Sequence, residues 1–573
     1  MSEFQELKKR LQQDARGLPS VRVALLGDSS TQLLGQALRG AGVERGVAIA
    51  LWEADYDQIE GQLLNERSEF HAFGAEFVIL FHSTQKLYKH YCGLADEDKP
   101  RLAERHVQYV RRLLAAPAGR HERKVIYFNF PELGADEFGN FANKTESSFT
   151  YQLRRLNCEL MTLGVQCRDF FIADVCALQH RLGGSSAFDA RLYVGADMVF
   201  GLDFLPVVAR NTIDIVQAVR GQLKKCLILD LDNTLWGGVI GDDGLERIEL
   251  GDLGIGKAFT EVQRWARELR RRGVILAVCS KNDEKNAKEP FLRHPQMVLG
   301  LDDIAVFLAN WNHKTDNLRI IQSVLNIGFD SMVFVDDSPF ERQMIRQTFP
   351  DVTVPELPED PAEYARYLRN LNLFETASFT RADGERTRQY REEAARQEVR
   401  QRCSGEDEYL AGLDMRSEVK PFDAFSVPRV AQLTQRSNQF NLRTIRYTEE
   451  QIAHVAASPE FLTLTFTLTD RFGDNGLVSA VILAQRERSL FMDTWVMSCR
   501  VLKRGMERFV VNEIVRLARE HGFTEVVGEY LPTPKNRLVE GLYPSLGFAP
   551  VDGRWRTDVA TYAGEATHIR RKD

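Results

Sequence analysis

The sequence is poor in cysteine, with eight in 573 residues and no CxxC pair. That excludes a disulfide framework and a structural zinc site, and leaves the thiols to be read as reduced, mostly small core residues. No apolar run reaches the 18 or more residues of a membrane span. The start, MSEFQELKKRLQQDARG, mixes both charge signs where a signal peptide would separate them. A basic surplus is missing too: the formal charge is −7, which argues against a general nucleic-acid or membrane-surface binder. There is no internal repeat and no long low-complexity segment, so solenoids and arrays are set aside. A cytoplasmic protein is expected.

What is present is ordinary globular composition, 44% hydrophobic and 27% charged, sufficient for large cores. At about 150 residues per domain the length suggests three or four domains. The expected fold class is α/β in three units. Residues 1–220 alternate short apolar runs (VRVALLGDSS, EFVILFHS, KVIYFNFPE) with helix-like polar stretches such as 99–116, the rhythm of a parallel sheet. Residues 221–375 place strands at KKCLILDLD, VILAVCSKN, IAVFLANWN and SMVFVDDSP, with helices at KAFTEVQRWARELRRRG and KTDNLRIIQSVLNI. A linker, 376–414, follows, whose charged stretch 381–409 reads as a solvated helix. Residues 415–573 show strands at LTLTFTLTD, GLVSAVILAQ and SLFMDTWVMS, a helix at 504–520, a strand at TEVVGEYL and a helix at 535–546.

The chemistry concentrates in LILDLDNTLWGG, where Asp230 and Asp232 stand two residues apart at a strand end. One carboxylate can attack a bound phosphoryl group while the other reaches the leaving oxygen. Two acids and a phosphate need a cation between them, and Mg²⁺ is the expected one. Ser280 after VILAVC, Lys314 at the start of a helix and Asp336-Asp337 after MVFV supply a hydroxyl, an ammonium and further acids. All sit at the carboxyl ends of expected parallel strands, where open α/β sheets carry their ligands. Taken singly, each acid could be an ordinary cap or turn former.

The set DxDNT, a serine, a lone lysine and a DD pair resembles the haloacid-dehalogenase (HAD) phosphatase superfamily, with a Rossmann-like fold. By that resemblance Asp230 is the nucleophile, Asp232 the general acid/base, and Lys314 the charge clamp. Thr234, Ser280, Lys281 and Asn282 would bind substrate. Asp230, Asp336, Asp337 and the backbone carbonyl of Asp232 would hold the metal. GGVIGDDGLERIELGD after Asp232 leaves room for a hairpin flap but no inserted cap domain.

LDLDNTLWGGVIGDDG, VCSKND, WNHKTDNL, FVDDSPFER, RSNQFNLRT, DRFGDNGLV, DTWVMSCRVLKRGME and GEYLPTPKN together resemble the FkbH-like family of polyketide pathways, from about residue 20 to 548. The resemblance implies a glyceryl transferase/phosphatase. Such an enzyme captures 1,3-bisphospho-D-glycerate, releases phosphate and passes glyceryl to the phosphopantetheine thiol of an acyl carrier protein. A related three-carbon unit such as lactyl is an alternative, as are a plain Mg²⁺-dependent phosphatase and a carrier-docking scaffold. Holding the unit as an enzyme thioester would need a cysteine. Cys279, beside Ser280, and Cys499, at the end of SLFMDTWVMS, are the two candidates, although strand alternation would turn Cys279 into the core.

The third unit resembles the GNAT acyltransferase fold. There Arg500 and Gly505 match a loop that wraps the pyrophosphate of coenzyme A at a helix N-terminus, while Lys503 replaces its first glycine. Arg500, Lys503, Gly505, Asn536 and Tyr543 are thus candidates for receiving the carrier's phosphopantetheine. VALLGDSSTQ resembles the first block of SGNH hydrolases, with Ser29 as nucleophile, but DVCALQH has the wrong spacing for the DxxH partner. A tight turn and helix cap is the simpler reading of GDSS.

Overall fold

The computed structural model describes residues 2–11, 17–115, 123–134, 136–379, 392, 396, 400, 403, 405–437 and 439–572, with the side chains of Ser185 and Arg500 excepted. Most of the charged stretch 381–409 lies outside the described residues. The chain forms two compact units, Met1–Val219 and Arg220–Asp573. The segments expected as separate second and third domains share the latter.

The first unit is built on five parallel strands, β1 (Ser20–Gly27), β2 (Ala48–Glu53), β3 (Phe77–Phe81), β4 (Lys124–Phe128) and β5 (Phe170–Ala173), in the order β2-β1-β3-β4-β5. Alternation sends Val23 and Leu25 into one core and Ala24 and Leu26 into the other, so both faces are covered by helices. The order reverses direction between β1 and β3, which opens a crevice beyond their carboxyl ends.

The second unit holds two sheets. Strands β6 (Cys226–Leu229), β7 (Ile275–Ser280), β8 (Ile304–Ala309) and β9 (Met332–Val335) run parallel in the order β8-β7-β6-β9. Leu227, Leu229, Leu276 and Val278 face one buried cluster, and Ile228, Ile275, Ala277 and Cys279 face the other. Each such fully buried aliphatic side chain contributes roughly 1.5–3 kcal/mol. A charge at Val278 would therefore abolish the sheet that positions the acids.

The other sheet contains β10 (Arg416–Ser417), β11 (Val419–Lys420), β12 (Phe461–Asp470), β13 (Gly473–Arg486), β14 (Ser489–Met497), β15 (Glu525–Gly528), β16 (Ala549–Val551), β17 (Arg554–Asp558) and β18 (Arg570–Arg571). Strands β14 and β15 pair in parallel only over Ser489–Phe491 and Glu525–Val527, then diverge. The groups exposed by this splay need partners. The chain supplies them itself: Met497 N–H donates to Phe440 O (3.2 Å), and Asn441 bridges Val496. The helix expected over 535–546 is broken into two short turns, Arg537–Val539 and Leu542–Ser545, because Gly541 and Pro544 interrupt it. Among the described residues no helix is long and apolar enough to cross a membrane.

Candidate functional site

Asp230 leaves β6 with its N–H bonded to Val335 O (3.0 Å), so the end of the neighbouring strand fixes its direction. The turn that follows needs a left-handed residue, and Asn233 takes it at φ 53°, a conformation asparagine tolerates. Asp336 and Asp337 leave β9 alongside. Oxygens of Asp230, Asp336 and Asp337 all come within 4.8 Å of one another. Like charges this close repel. Burial and the Asp230 carboxylate push the Asp336 pKa up, against the pull of Lys314, and burial and Asp230 raise Asp337 likewise.

Lys314 is the first residue of the helix Lys314–Leu325, whose Leu318, Ile321 and Leu325 pack beneath the sheet. A cation at a helix N-terminus opposes the macrodipole, at a cost of about 0.3–1 kcal/mol. Two carboxylates outweigh that cost: Nζ stands 2.9 Å from Asp230 Oδ2 and 2.6 Å from Asp336 Oδ2. Burial acts to lower the Lys314 pKa, yet Asp230 and Asp336 together hold it above the ordinary lysine value. One ammonium against three clustered carboxylates leaves negative charge uncompensated. Asp230 Oδ1 and Thr234 Oγ1 are buried without a protein partner. An oxygen-rich, over-acidic pocket with buried acceptors fits a hard divalent cation and a phosphoryl group.

Asp232 is held differently. Its Oδ1 accepts from Trp236 Nε1 (2.9 Å) and Ile240 N–H (3.0 Å), and Oδ2 from Asn282 Nδ2 (2.8 Å). The carboxylate therefore stays out of the three-acid group, and burial raises its pKa despite these bonds. That suits a proton carrier. Ser280 is buried at the end of β7. Lys281, expected on the substrate, instead pairs with Glu341 (2.6 Å). The flap is closed by Gly237 N–H to Glu249 O (3.0 Å) and Glu249 N–H to Gly237 O (2.9 Å), with no inserted domain.

Sequence reading missed Arg342. Its Nη1 donates to the carbonyls of Asp336 (2.9 Å) and Asp337 (2.6 Å) and clamps the turn that aims both acids. The only signal was an arginine following the DD pair in FVDDSPFER. Trp236 is another support of this kind, and Asn282, expected on the substrate, instead donates to Asp232.

The two cysteines part company. Cys279 has no exposed surface, packs with Cys226, Ile228 and Leu318, and burial pushes its thiol well above the ordinary value. As an acyl carrier it is ruled out by that enclosure. Cys499 is half-buried and lines a cavity of about 560 Å³ between the two sheets, with Lys225, Ile275, Phe440 and Lys535. Its carbonyl accepts from Asn326 Nδ2 (2.6 Å), and Lys535 pairs with Asp330 (2.9 Å).

The expected carrier-arm residues largely serve the fold. Asn536 is fully buried, donating to Asn441 O and Leu531 O (2.9 Å each) and accepting from Thr533 N–H (2.7 Å). It pins the segment that fills the splay. Tyr543 is buried against Phe548 and Trp555. Both are corrected to structural residues. Lys503 is exposed and takes φ 63°, so it holds the left-handed conformation of the glycine it replaces, and Gly505 (φ 76°) precedes the helix Met506–Glu520. Burial raises the pKa of the Glu507 carboxyl beside that loop, against the pull of the backbone at its own position and at Lys503, and a carboxyl there competes with a phosphate for the same backbone. The Arg500 side chain lies outside the described residues. Ser29 is buried in the first unit.

Residues 22–217 match the family described as FkbH, N-terminal domain. The N-terminal part of the protein BF1531 from Bacteroides fragilis, containing a phosphatase domain complexed with Mg, is 52% identical, with a TM-score of 0.64. The match covers 66% of this chain and 100% of that one. The ribosomal-protein-S18-alanine N-acetyltransferase from Escherichia coli is 16% identical over 26% of this chain and 97% of that one, with a TM-score of 0.20. No curated protein matches the chain.

Proposed function

The chain belongs to the FkbH-like family, and on that premise we propose that it dephosphorylates a three-carbon acid and loads it onto an acyl carrier protein. The observation that carries this reading is Lys314 set between Asp230 and Asp336 beside the uncompensated three-acid group. The expected substrate is 1,3-bisphospho-D-glycerate, with lactyl loading as the variant.

Asp230 attacks phosphorus at the C3 ester and the P–O bond breaks. Asp232, oriented by Trp236, Ile240 and Asn282, gives its proton to the departing oxygen. It then takes a proton from the water that hydrolyses the aspartyl-phosphate. Lys314 and Thr234 face the phosphoryl oxygens. Asp230, Asp336, Asp337 and the Asp232 carbonyl would hold Mg²⁺, which supplies charge neutralisation when bound. The C1 acyl phosphate is already activated. A phosphopantetheine thiolate can attack that carbonyl, forming a C–S bond as phosphate leaves.

The cavity at Cys499 is the entry point we assign to the carrier arm, since the strand splay is filled by Phe440 and Asn441. That filling, with Glu507 on its own loop, also favours a second reading: a plain phosphatase whose last sheet only shapes the enzyme. Intact mass analysis of holo carrier protein after incubation with 1,3-bisphosphoglycerate separates them. A glyceryl adduct supports loading. Phosphate release with an unmodified carrier leaves the phosphatase alone.

A further inference from the structure

The first unit has a cavity of about 540 Å³ where its sheet reverses direction, outside the carboxyl ends of β1 and β3. Cavities of this size suit metabolites. Asp28 follows β1, His82 and Ser83 follow β3, and the helix Leu102–Leu114 turns Arg105, Tyr109 and Arg112 inward at i, i+4 and i+7. Ser29, the residue an SGNH hydrolase would use, does not line it.

The floor is built from buried polar groups. Both Asp28 oxygens accept the Ser83 N–H (3.0 and 2.9 Å), which fixes the carboxylate at the cavity wall. The Tyr127 hydroxyl lies 3.0 Å from His82 Nδ1 and 3.0 Å from His106 Nε2. It has one proton, so it donates to one ring and accepts from the other. His82 is 8% exposed, and its Nε2 is buried with no protein partner. A buried ring nitrogen without a partner is costly, and a ligand atom in the cavity would satisfy it.

The rim is cationic. Lys86, Arg105 and Arg112 line the cavity against the carboxylates of Asp28 and Asp57. Arg105 pairs with Asp98 and Lys86 with Asp57 (3.4 Å), while Arg112 lies over the Tyr109 ring (5.7 Å).

We propose that this cavity binds a small hydroxylated anion, its charged end at the Lys86 and Arg112 rim and its hydroxyl between His82 Nε2 and Asp28. With the His82 proton on Nε2 a hydroxyl accepts from the ring and donates to the carboxylate; with that proton on Nδ1 the single hydroxyl hydrogen goes to Nε2. The anionic end is a phosphate or a carboxylate. This site is separate from Asp230 and holds whether or not carrier loading does.

The test is calorimetric titration of the full chain carrying Asp230→Asn, in EDTA, with glycerol 3-phosphate, with glycolate, and with glycerol as the uncharged control. Saturable binding of one anion is expected, with glycerol about tenfold weaker or absent. Which anion binds identifies the charged group. Arg112→Ala, at an exposed position, should weaken binding about two- to fivefold, and His82→Phe should abolish it. The absence of saturable heat with both anions up to about 10 mM overturns the proposal. So does undiminished binding in Arg112→Ala, a result that does not depend on how well His82→Phe folds.

Discussion

Asp230 and Cys499 sit at opposite ends of the same four-stranded sheet. Asp230 follows β6 at its carboxyl end, whereas Cys499 shares its cavity with Lys225, which precedes β6, and Ile275, which opens β7. At about 3.3 Å per residue, the six-residue β7 separates the two ends by roughly 15–20 Å. No side-chain rotation spans that gap, so only a mobile arm could carry a unit between them. Cys499→Ala should therefore leave phosphate release within about twofold, while Asp230→Asn lowers it by about 10³-fold or more. A large loss of phosphate release in Cys499→Ala would sink the separation of the two stations.

Lys314 is buried between two acids, so Lys314→Met leaves carboxylates facing each other without a cation. Breaking a buried pair from one side costs about 3–5 kcal/mol. The variant should unfold at lower denaturant in EDTA, and Asp336→Asn added to it should recover part of the loss. Strictly additive losses in that double-mutant cycle would show that the two residues do not interact.

The three-acid group predicts that Mg²⁺ stabilises the fold as well as serving turnover. At a hundred times its Kd a ligand specific to the native state adds about 2.7 kcal/mol. The midpoint of thermal unfolding should rise with Mg²⁺ in the parent and stay fixed in Asp336→Asn/Asp337→Asn. Equal shifts in both would place the ion elsewhere.

The acids were legible because they close strands whose residues are all apolar, as in Leu227-Ile-Leu-Asp230 and Val333-Phe-Val-Asp336. Their supports were not. Arg342, Trp236 and Asn282 act through contacts set by the turn after β9, the flap and the end of β7, which no local pattern encodes. Asn536 and Tyr543 matched a fold's binding positions, but in this chain Phe440 and Asn441 fill the neighbouring splay and make Asn536 their anchor. Strands β2 and β5 were missed because AIALWE ends in charge and FFIA is only four residues long.

That anchoring role is testable. Asn536→Ala would leave the Asn441 and Leu531 carbonyls and the Thr533 N–H short of partners in a buried site. Each such group costs about 1–3 kcal/mol. Chemical denaturation should show a loss of at least ~2 kcal/mol. An unchanged midpoint with weakened carrier binding would instead return Asn536 to the carrier site.

The first unit should weaken in mild acid. Burial depresses the His82 pKa to about 4 from 6.5, so the stability it adds is present above pH 6.5 and lost as pH falls through 4. His106 is pushed down by burial and then by His82 and acts in the same direction. Asp28 works the other way. Burial raises it to about 6 from 3.8, so its contribution is full below pH 3.8 and disappears as pH rises through 6. Two imidazoles against one carboxyl leave a net loss between pH 6.5 and 4. Hydrogen exchange in β3 and Leu102–Leu114 peptides, corrected for intrinsic rates, should show protection falling across that window. In His82→Phe the fall should be shallower, since only His106 then opposes Asp28. An equally steep fall in that variant would mean that His82 is already protonated in the folded protein.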